Sequence, residues 1–123
     1  MSRIIRETRE TRVAVVLTPG TGVTKVDIDE PFLTHMLVTF ARYANLDIEI
    51  SARGDLRHHL VEDVAIATGT ALAAALPERA ARYGDRTIPM DDALVQVAID
   101  LGGRPYYRGP LPSPLYDHWM RSF

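Results

Sequence analysis

The sequence predicts an α+β fold: a duplicated βα unit with its helices packed on one face of a mixed sheet, and with the second copy incomplete. Helical patterns alternate with strand patterns in the first half of the chain. Residues 31–40 (PFLTHMLVTF) recur at residues 114–123 (PLYDHWMRSF), where the proline, the histidine and the last phenylalanine coincide. VAVVL at 13–17 lines up with VQVAI at 95–99 at nearly the same offset. A repeated unit explains both matches.

The first copy begins with a strand pattern at residues 12–17 (RVAVVL), which is rich in β-branched side chains and is followed by the turn sequence TPGTG. Residues 23–28 (VTKVDI) are predicted to be its hairpin partner. Residues 31–46 carry apolar side chains at helical spacing behind a proline that suits the first turn. A half-buried strand is predicted at 47–53, and a longer helix with an alanine-rich face at about 58–76.

In the second copy, residues 89–94 (PMDDAL) are predicted to form a short turn of helix and residues 95–100 (VQVAID) a strand, which GGRPYY continues past a bend. We place the first repeat unit at residues 1–81 and the start of the second at residues 82–123. The second copy contains no counterpart of residues 47–76. We therefore expect an apolar sheet face that lacks its helix, and marginal stability.

Composition limits the classes of function. The 123 residues are 46% hydrophobic, enough for one modest core, and the formal net charge of -2 offers no basic surplus for nucleic acid or a membrane surface. The absence of cysteine excludes disulfides, thiolate metal sites and cysteine nucleophiles. No apolar run approaches the roughly 18 residues of a membrane span, and no secretory signal is visible, so we expect a cytoplasmic protein.

The sharpest chemical signal is HHxxE at the start of the second predicted helix. His58 and Glu62 are four positions apart and His59 and Glu62 three, so imidazoles and a carboxylate share one helix face. These donors suit divalent Mn, Fe, Ni or Zn. Adjacent histidines point about 100° apart around a helix, which suits two metals better than one. A solvated helix N-terminus, with acidic side chains that complement the helix dipole, explains the same residues without a metal.

The other two histidines occupy equivalent positions of the repeat. His35 lies between apolar residues of the first predicted helix, and His118 lies at the matching position of the second copy. A lone histidine in such a place is more often a satisfied core residue than a ligand. Their equivalence favours a shared role.

Three charged residues have an ordinary explanation as parts of a solvated surface. Glu10 stands among the charges of RETRET, and Arg82 follows the first unit. Arg104 lies in the Gly-rich bend GGRPY, where the planar guanidinium is well placed to grip a phosphate.

Together, the motifs resemble the imidazoleglycerol-phosphate dehydratase family, manganese-dependent hydro-lyases of histidine biosynthesis. The resemblance covers almost the whole chain, and an ordered set of motifs is far more specific than any one of them. The segments that carry it are RETRET, PFLTHML, GDL with HHLVEDVAIATGTAL, RYGDRTIPMDDAL, DLGGRPYY and DHWMRSF.

This resemblance implies a site. It implies five metal ligands, one catalytic proton-transfer group beside the substrate, and two arginines that hold the substrate phosphate. The implied ligands are His35, His58, His59, Glu62 and His118, the catalytic group is Glu10, and the arginines are Arg82 and Arg104.

The resemblance also implies the chemistry, which is dehydration of D-erythro-imidazoleglycerol phosphate to imidazoleacetol phosphate with two Mn²⁺ per site. The proton to be removed is carbon-bound and weakly acidic, so Lewis acidity and a positioned acid–base group are both needed. The expected partners are the small phosphorylated imidazole substrate and identical subunits of a homo-oligomer that shares its sites, with neither nucleic acid nor membrane.

Several positions depart from the family pattern. Thr34 replaces an aspartate before the first ligand histidine, Leu60 a threonine after the pair, and Gly102 a serine. A second HHxxE and a final phosphate-binding lysine have no counterpart in the sequence, so we expect each metal to lack ligands in these residues alone. Two alternatives are a non-catalytic metal- or phosphate-binding half-module that needs a partner chain, and a structural α+β domain whose histidines cluster by accident.

Overall fold

A computed structural model describes residues 1–123 of the chain. The chain forms two compact units, Met1–Leu76 with Tyr107–Phe123, and Pro77–Tyr106. No helix of the chain combines the length and the hydropathy that a membrane-spanning segment requires. The elements in order are β1 (Ser2–Glu7), β2 (Thr11–Pro19), β3 (Thr24–Asp27), α1 (Pro31–Ala44), β4 (Leu46–Gly54), α2 (Arg57–Ala75), β5 (Tyr83–Met90), β6 (Ala93–Asp100) and α3 (Pro114–Ser122).

The first unit is built on a four-stranded mixed sheet with the order β1-β2-β4-β3. β2 pairs antiparallel with β1 and with β4, and β3 pairs parallel with β4. The predicted hairpin between residues 12–17 and 23–28 is therefore wrong, because β1 takes that place. The loop before β3 is instead tied to β4, since the Asp47 carboxylate accepts hydrogen bonds from the N–H groups of Thr21 and Val23.

The core lies between one face of this sheet and helices α1 and α2, which confirms the predicted layer arrangement. Alternate side chains of β2 and β4 point into the core because successive residues of a strand face opposite ways. They meet the apolar stripes of both helices, and each fully buried aliphatic side chain contributes about 1.5–3 kcal/mol. The core includes Val13, Val15, Leu17, Ile48, Ile50 and Ala52 of the strands, Leu33, Leu37 and Ala41 of α1, and Val61, Val64, Ala67 and Ala71 of α2.

Polar contacts fix α2 along the first two strands. Asp63 is 8% exposed, accepts a hydrogen bond from the Arg6 Nε at 2.8 Å, and accepts another from the Thr11 hydroxyl. About two helical turns further along α2, the Ser2 hydroxyl donates to the Ala71 carbonyl at 2.6 Å. A buried carboxylate with two partners is satisfied, so these contacts position the helix without leaving an unpaired charge.

Helix α3 packs on α2. Ser113 caps its start, accepting a hydrogen bond from the Tyr116 N–H, and Pro114 occupies the first turn as in α1. At the other end, a Cβ at Gly69 of α2 would overlap the Phe123 carbonyl oxygen, so glycine permits this close approach of the two helices. No residue of α3 is fully buried, whereas α1 buries three.

The second unit is an antiparallel hairpin of β5 and β6. The predicted turn of helix at residues 89–94 is wrong, because Asp91 adopts a left-handed φ of 52° and closes the hairpin between the two strands. The predicted continuation of the strand through GGRPYY is also wrong. Gly103 takes a φ of 79°, and the Gly102 N–H donates to the Asp100 carboxylate, so the chain turns where the strand ends.

The pairing register supports the duplication. β1 and β2 pair Ser2 with Leu17, and β5 and β6 pair Gly84 with Ile99, which is the same register moved by 82 positions. The side chains of β6 that correspond to the buried ones of β2 are largely exposed, namely Val95 at 55%, Val97 at 42% and Ile99 at 53%. The repeat boundaries at residues 81 and 82 remain a prediction.

Replacing Leu37 by alanine tests the core between α1 and the sheet. Leu37 is 2% exposed, so the Leu37→Ala variant leaves a cavity and should lower the free energy of unfolding by about 2–5 kcal/mol. Urea denaturation followed by circular dichroism measures the change. Val38, the next residue, is 39% exposed, and Val38→Ala should change the value by less than about 1 kcal/mol. Equal losses in the two variants would contradict the assigned core face.

Candidate metal centre

The first two turns of α2 carry two of the predicted ligands on one face. The Nε2 atom of His58 lies 3.6 Å from Oε2 of Glu62, four residues further on. Helix geometry produces this pairing directly, because residues i and i+4 are neighbours on the surface. His58 is exposed and Glu62 half-buried, so the pair lies at the edge of the packed region.

Helix α3 brings His118 to the same carboxylate. The Nε2 atom of His118 lies 3.5 Å from Oε2 of Glu62, and its ring centroid lies 4.8 Å from that of His58. One ligand atom from each of the three residues lies within 4.8 Å of the others. Two remote segments of the sequence therefore place two imidazoles and a carboxylate around one point.

The arrangement fits a divalent cation. Neighbouring ligand atoms of a divalent ion with bonds of about 2.1 Å lie roughly 3.0 Å apart in octahedral and roughly 3.4 Å apart in tetrahedral coordination, close to the separations of 3.6 and 3.5 Å from the Glu62 oxygen. The Nε2 atom of His118 is buried and has no hydrogen-bond partner, although it faces the carboxylate. A buried polar atom without a partner is costly, and coordination to a metal would satisfy it.

His59 points away from this group and has a partner of its own. Its ring centroid is 6.2 Å from that of His58, and its Nδ1 lies 3.1 Å from Oδ1 of Asp55. A carboxylate on one ring nitrogen is the usual support for a histidine that binds a metal through the other. Asp55 is not among the site residues predicted from the sequence, although its position four residues before His59 was the available signal.

Asp55 is held as an anion. Desolvation alone would raise the pKa of its carboxyl group, but hydrogen bonds from the Leu56 N–H and from His59 outweigh this and lower the pKa below its usual value. The ionised carboxylate can therefore accept a proton-bearing Nδ1 and leave Nε2 of His59 free.

His35 lies apart from the three-residue group. It is on the exposed face of α1, one residue away from Thr34 and four from Thr39, whose hydroxyl donates to the His35 carbonyl. Its apolar sequence neighbours Leu33 and Leu37 are buried in the core, whereas His35 is exposed on another face of the helix. The prediction of a core histidine therefore does not apply to His35. Its ligand role remains a prediction.

Glu10 lies beside the start of α2. It is exposed in the connection between β1 and β2, and its backbone carbonyl accepts a hydrogen bond from the Asp55 N–H at 3.0 Å. Its own N–H donates to the Thr8 hydroxyl oxygen. These contacts fix its backbone next to the segment that orients His59, while its catalytic role remains a prediction.

The two predicted phosphate-binding arginines belong to the second unit. Arg82 donates from Nε and from a terminal nitrogen to the Asp100 carboxylate, at 2.7 and 3.2 Å. This pair raises the pKa of Arg82 and lowers that of Asp100. Arg104 is exposed immediately after Gly103. Their binding role remains a prediction.

Comparison with known proteins assigns the family. The family model described as imidazoleglycerol-phosphate dehydratase matches residues 29–118, a range that includes all five predicted ligands on α1, α2 and α3. The chain belongs to the imidazoleglycerol-phosphate dehydratase family. Its resemblance to that family, inferred above from ordered motifs, is thereby confirmed.

Curated relatives bear the same name. The imidazoleglycerol-phosphate dehydratase of Pyrobaculum calidifontis is 47% identical over 133 residues, an alignment that covers 95% of this chain and 71% of the relative. That of Desulforudis audaxviator is 47% identical, with 92% of this chain and 62% of the relative covered. The chain thus spans between three fifths and three quarters of the length of these relatives.

Solved structures of the family confirm the α+β fold. The imidazoleglycerol-phosphate dehydratase of Pyrococcus furiosus superposes with a TM-score of 0.81 at 34% identity, covering 97% of this chain and 71% of that one. The Staphylococcus aureus enzyme gives a TM-score of 0.78 at 26% identity, covering 98% and 75%.

Replacing the shared carboxylate tests the metal centre. Glu62→Gln removes the only anionic donor of the three-residue group and should weaken Mn²⁺ binding at least about tenfold. Isothermal titration calorimetry measures the affinity. The control is Glu49→Gln on the exposed side of β4, which should bind as the unaltered chain does. Unchanged affinity in Glu62→Gln would show that the group does not hold the ion.

Proposed function

We propose that this protein catalyses the manganese-dependent dehydration of imidazoleglycerol phosphate to imidazoleacetol phosphate in histidine biosynthesis. The observation that carries the proposal is the meeting of His58, Glu62 and His118 in a chain 47% identical to proteins of that name. The proposed setting is a cytoplasmic homo-oligomer with two Mn²⁺ per site and sites shared between subunits.

His58, Glu62 and His118 would hold a metal ion, and His35 and His59 are the further ligands proposed. When bound, the ion supplies Lewis acidity and a template for the substrate. Asp55 supports this set by fixing the ring orientation of His59 through Nδ1.

The proposed acid–base group is Glu10. Dehydration breaks one C–H and one C–O bond and forms the double bond of an enol. A carboxylate oxygen of Glu10 is proposed to accept the carbon-bound proton, and the hydroxyl group leaves as hydroxide, which becomes water on protonation. The anchored backbone of Glu10, which is bonded to Asp55 and Thr8, limits where that carboxylate can reach. Positioning of this kind favours reaction because little orientational freedom remains to be lost.

The proposed phosphate anchors are Arg82 and Arg104. An arginine fork matches two oxygens of a phosphate, and binding at a non-reacting part of the substrate orients the reacting centre. The guanidinium of Arg82 already binds a carboxylate, that of Asp100. The substrate phosphate would therefore displace Asp100 from Arg82 or bind the guanidinium beside it.

The catalytic assignment of Glu10 has a direct kinetic test. Glu10→Gln keeps the size and hydrogen-bonding capacity of the side chain but removes the base, so kcat should fall by roughly 10²–10⁴-fold. Turnover of imidazoleglycerol phosphate with added Mn²⁺ is followed through the absorbance of the enolisable ketone product. The matched control is Glu7→Gln, an exposed glutamate of β1 that should leave kcat unchanged.

Two results would contradict the proposal. Equal rates in Glu10→Gln and in the unaltered chain would remove Glu10 from the mechanism. Firm Mn²⁺ binding without any turnover would instead favour a non-catalytic half-module that needs a partner chain.

A further inference from the structure

A second polar cluster lies next to the metal centre and is used by none of the proposed steps. At its middle is Glu30, whose side chain is only 7% exposed and which directly precedes α1. The carboxylate makes no capping hydrogen bond to the helix that follows it, so the usual reason for an acidic residue at a helix start does not apply. Its partners lie on the other two helices of the unit.

The strongest partner is Arg57, the first residue of α2. Its Nε and one terminal nitrogen donate to the two oxygens of Glu30, each at 2.7 Å. A guanidinium and a carboxylate joined by two parallel hydrogen bonds have a fixed relative orientation. The start of α1 and the first turn of α2 are therefore held together, immediately before His58.

The third helix reaches the same carboxylate. The Tyr116 hydroxyl of α3 donates to Oε1 of Glu30 at 3.4 Å, and its ring meets Phe32 edge to face at a centroid distance of 4.6 Å. Tyr116 lies two residues before His118. One buried carboxylate thus contacts the neighbour of His58 on α2 and a near neighbour of His118 on α3.

The carboxyl group of Glu30 is ionised, as its contacts with Arg57 and Tyr116 require. The hydrogen bonds from Arg57 hold the pKa of Glu30 below its usual value, while desolvation works in the opposite direction. Only the carboxylate is buried, since the Arg57 side chain is 60% exposed; losing the guanidinium therefore leaves a desolvated charge at Glu30 unpaired, and losing the carboxylate removes the link between the two helices.

We propose that Glu30 is a positioning residue which, through Arg57 and Tyr116, sets the separation between the rings of His58 and His118. The proposal rests on the proposed function in so far as these two histidines hold the metal. Glu30 touches neither ring, and it acts only through the two helices that carry them.

Three substitutions separate geometry from charge. Glu30→Gln removes the charge, Arg57→Lys keeps the charge but loses the planar fork, and Tyr116→Phe removes only the hydroxyl. The control is Asp27→Asn, which breaks the exposed ion pair between Asp27 and Arg53. All variants are made in the full chain, and their folding is checked by circular dichroism.

The first measurement needs no metal. With ring centroids 4.8 Å apart, the unaltered chain should show a nuclear Overhauser effect between ring protons of His58 and His118. It should be lost in Glu30→Gln and Arg57→Lys and be weakened in Tyr116→Phe, while Asp27→Asn retains it. The second measurement is calorimetric Mn²⁺ affinity, which should fall by roughly 10–100-fold in Glu30→Gln and Arg57→Lys.

Retention of the ring contact and of the Mn²⁺ affinity in both variants would overturn the proposal. If Glu30→Gln fails to fold, Arg57→Lys and Tyr116→Phe decide the matter in the same way. If the unaltered chain binds no Mn²⁺, the proposed function fails, and the metal-free ring contact still decides whether Glu30 positions the two histidines.

Discussion

The buried carboxylate of Asp63 determines how α2 is rotated about its axis, and the site depends on that rotation. Asp63 contacts Arg6 and Thr11 on the sheet side, where burial without partners would be prohibitive. Glu62 is one residue earlier and therefore points about 100° away, out of the sheet contact and towards α3. Because Val61 and Val64 pack into the core beside Asp63, an alternative rotation would bury Glu62 and expose apolar side chains.

The most local features of the fold were predictable from the sequence. α1, α2, β2 and β4 have apolar side chains spaced as their geometry requires, and the structure places them within one or two residues of the predicted bounds. β1 was not predicted, because Arg3, Arg6 and Glu7 interrupt its apolar pattern at the sheet edge. The strand that pairs with β3 was predicted wrongly: β3 pairs with β4 and not with β2. A turn sequence shows that the chain reverses but does not specify which strand it then joins.

Contacts between helices were harder to foresee than the helices themselves. The spacing of His58 and Glu62 was visible in the sequence, but the distance from Glu62 to His118 depends on how α3 packs on α2. The pair of Glu30 and Arg57 spans 27 positions and has no periodic signal at all. Family resemblance supplied residue types for the site, and only the tertiary structure shows which of those residues meet.

The meeting of His58 and Glu62 with His118 has a consequence for the stability of the fold. An ion coordinated by all three would act as a cross-link between Glu62 and His118, which close a loop of 56 positions. Because the unfolded chain does not hold these donors together, an ion that binds only the folded chain stabilises it by mass action, by about 2.7 kcal/mol at a free-ion concentration one hundred times the dissociation constant. In a chain without cysteine, and therefore without disulfides, a reversible metal cross-link of this kind would make the stability of the fold depend on the concentration of the free ion.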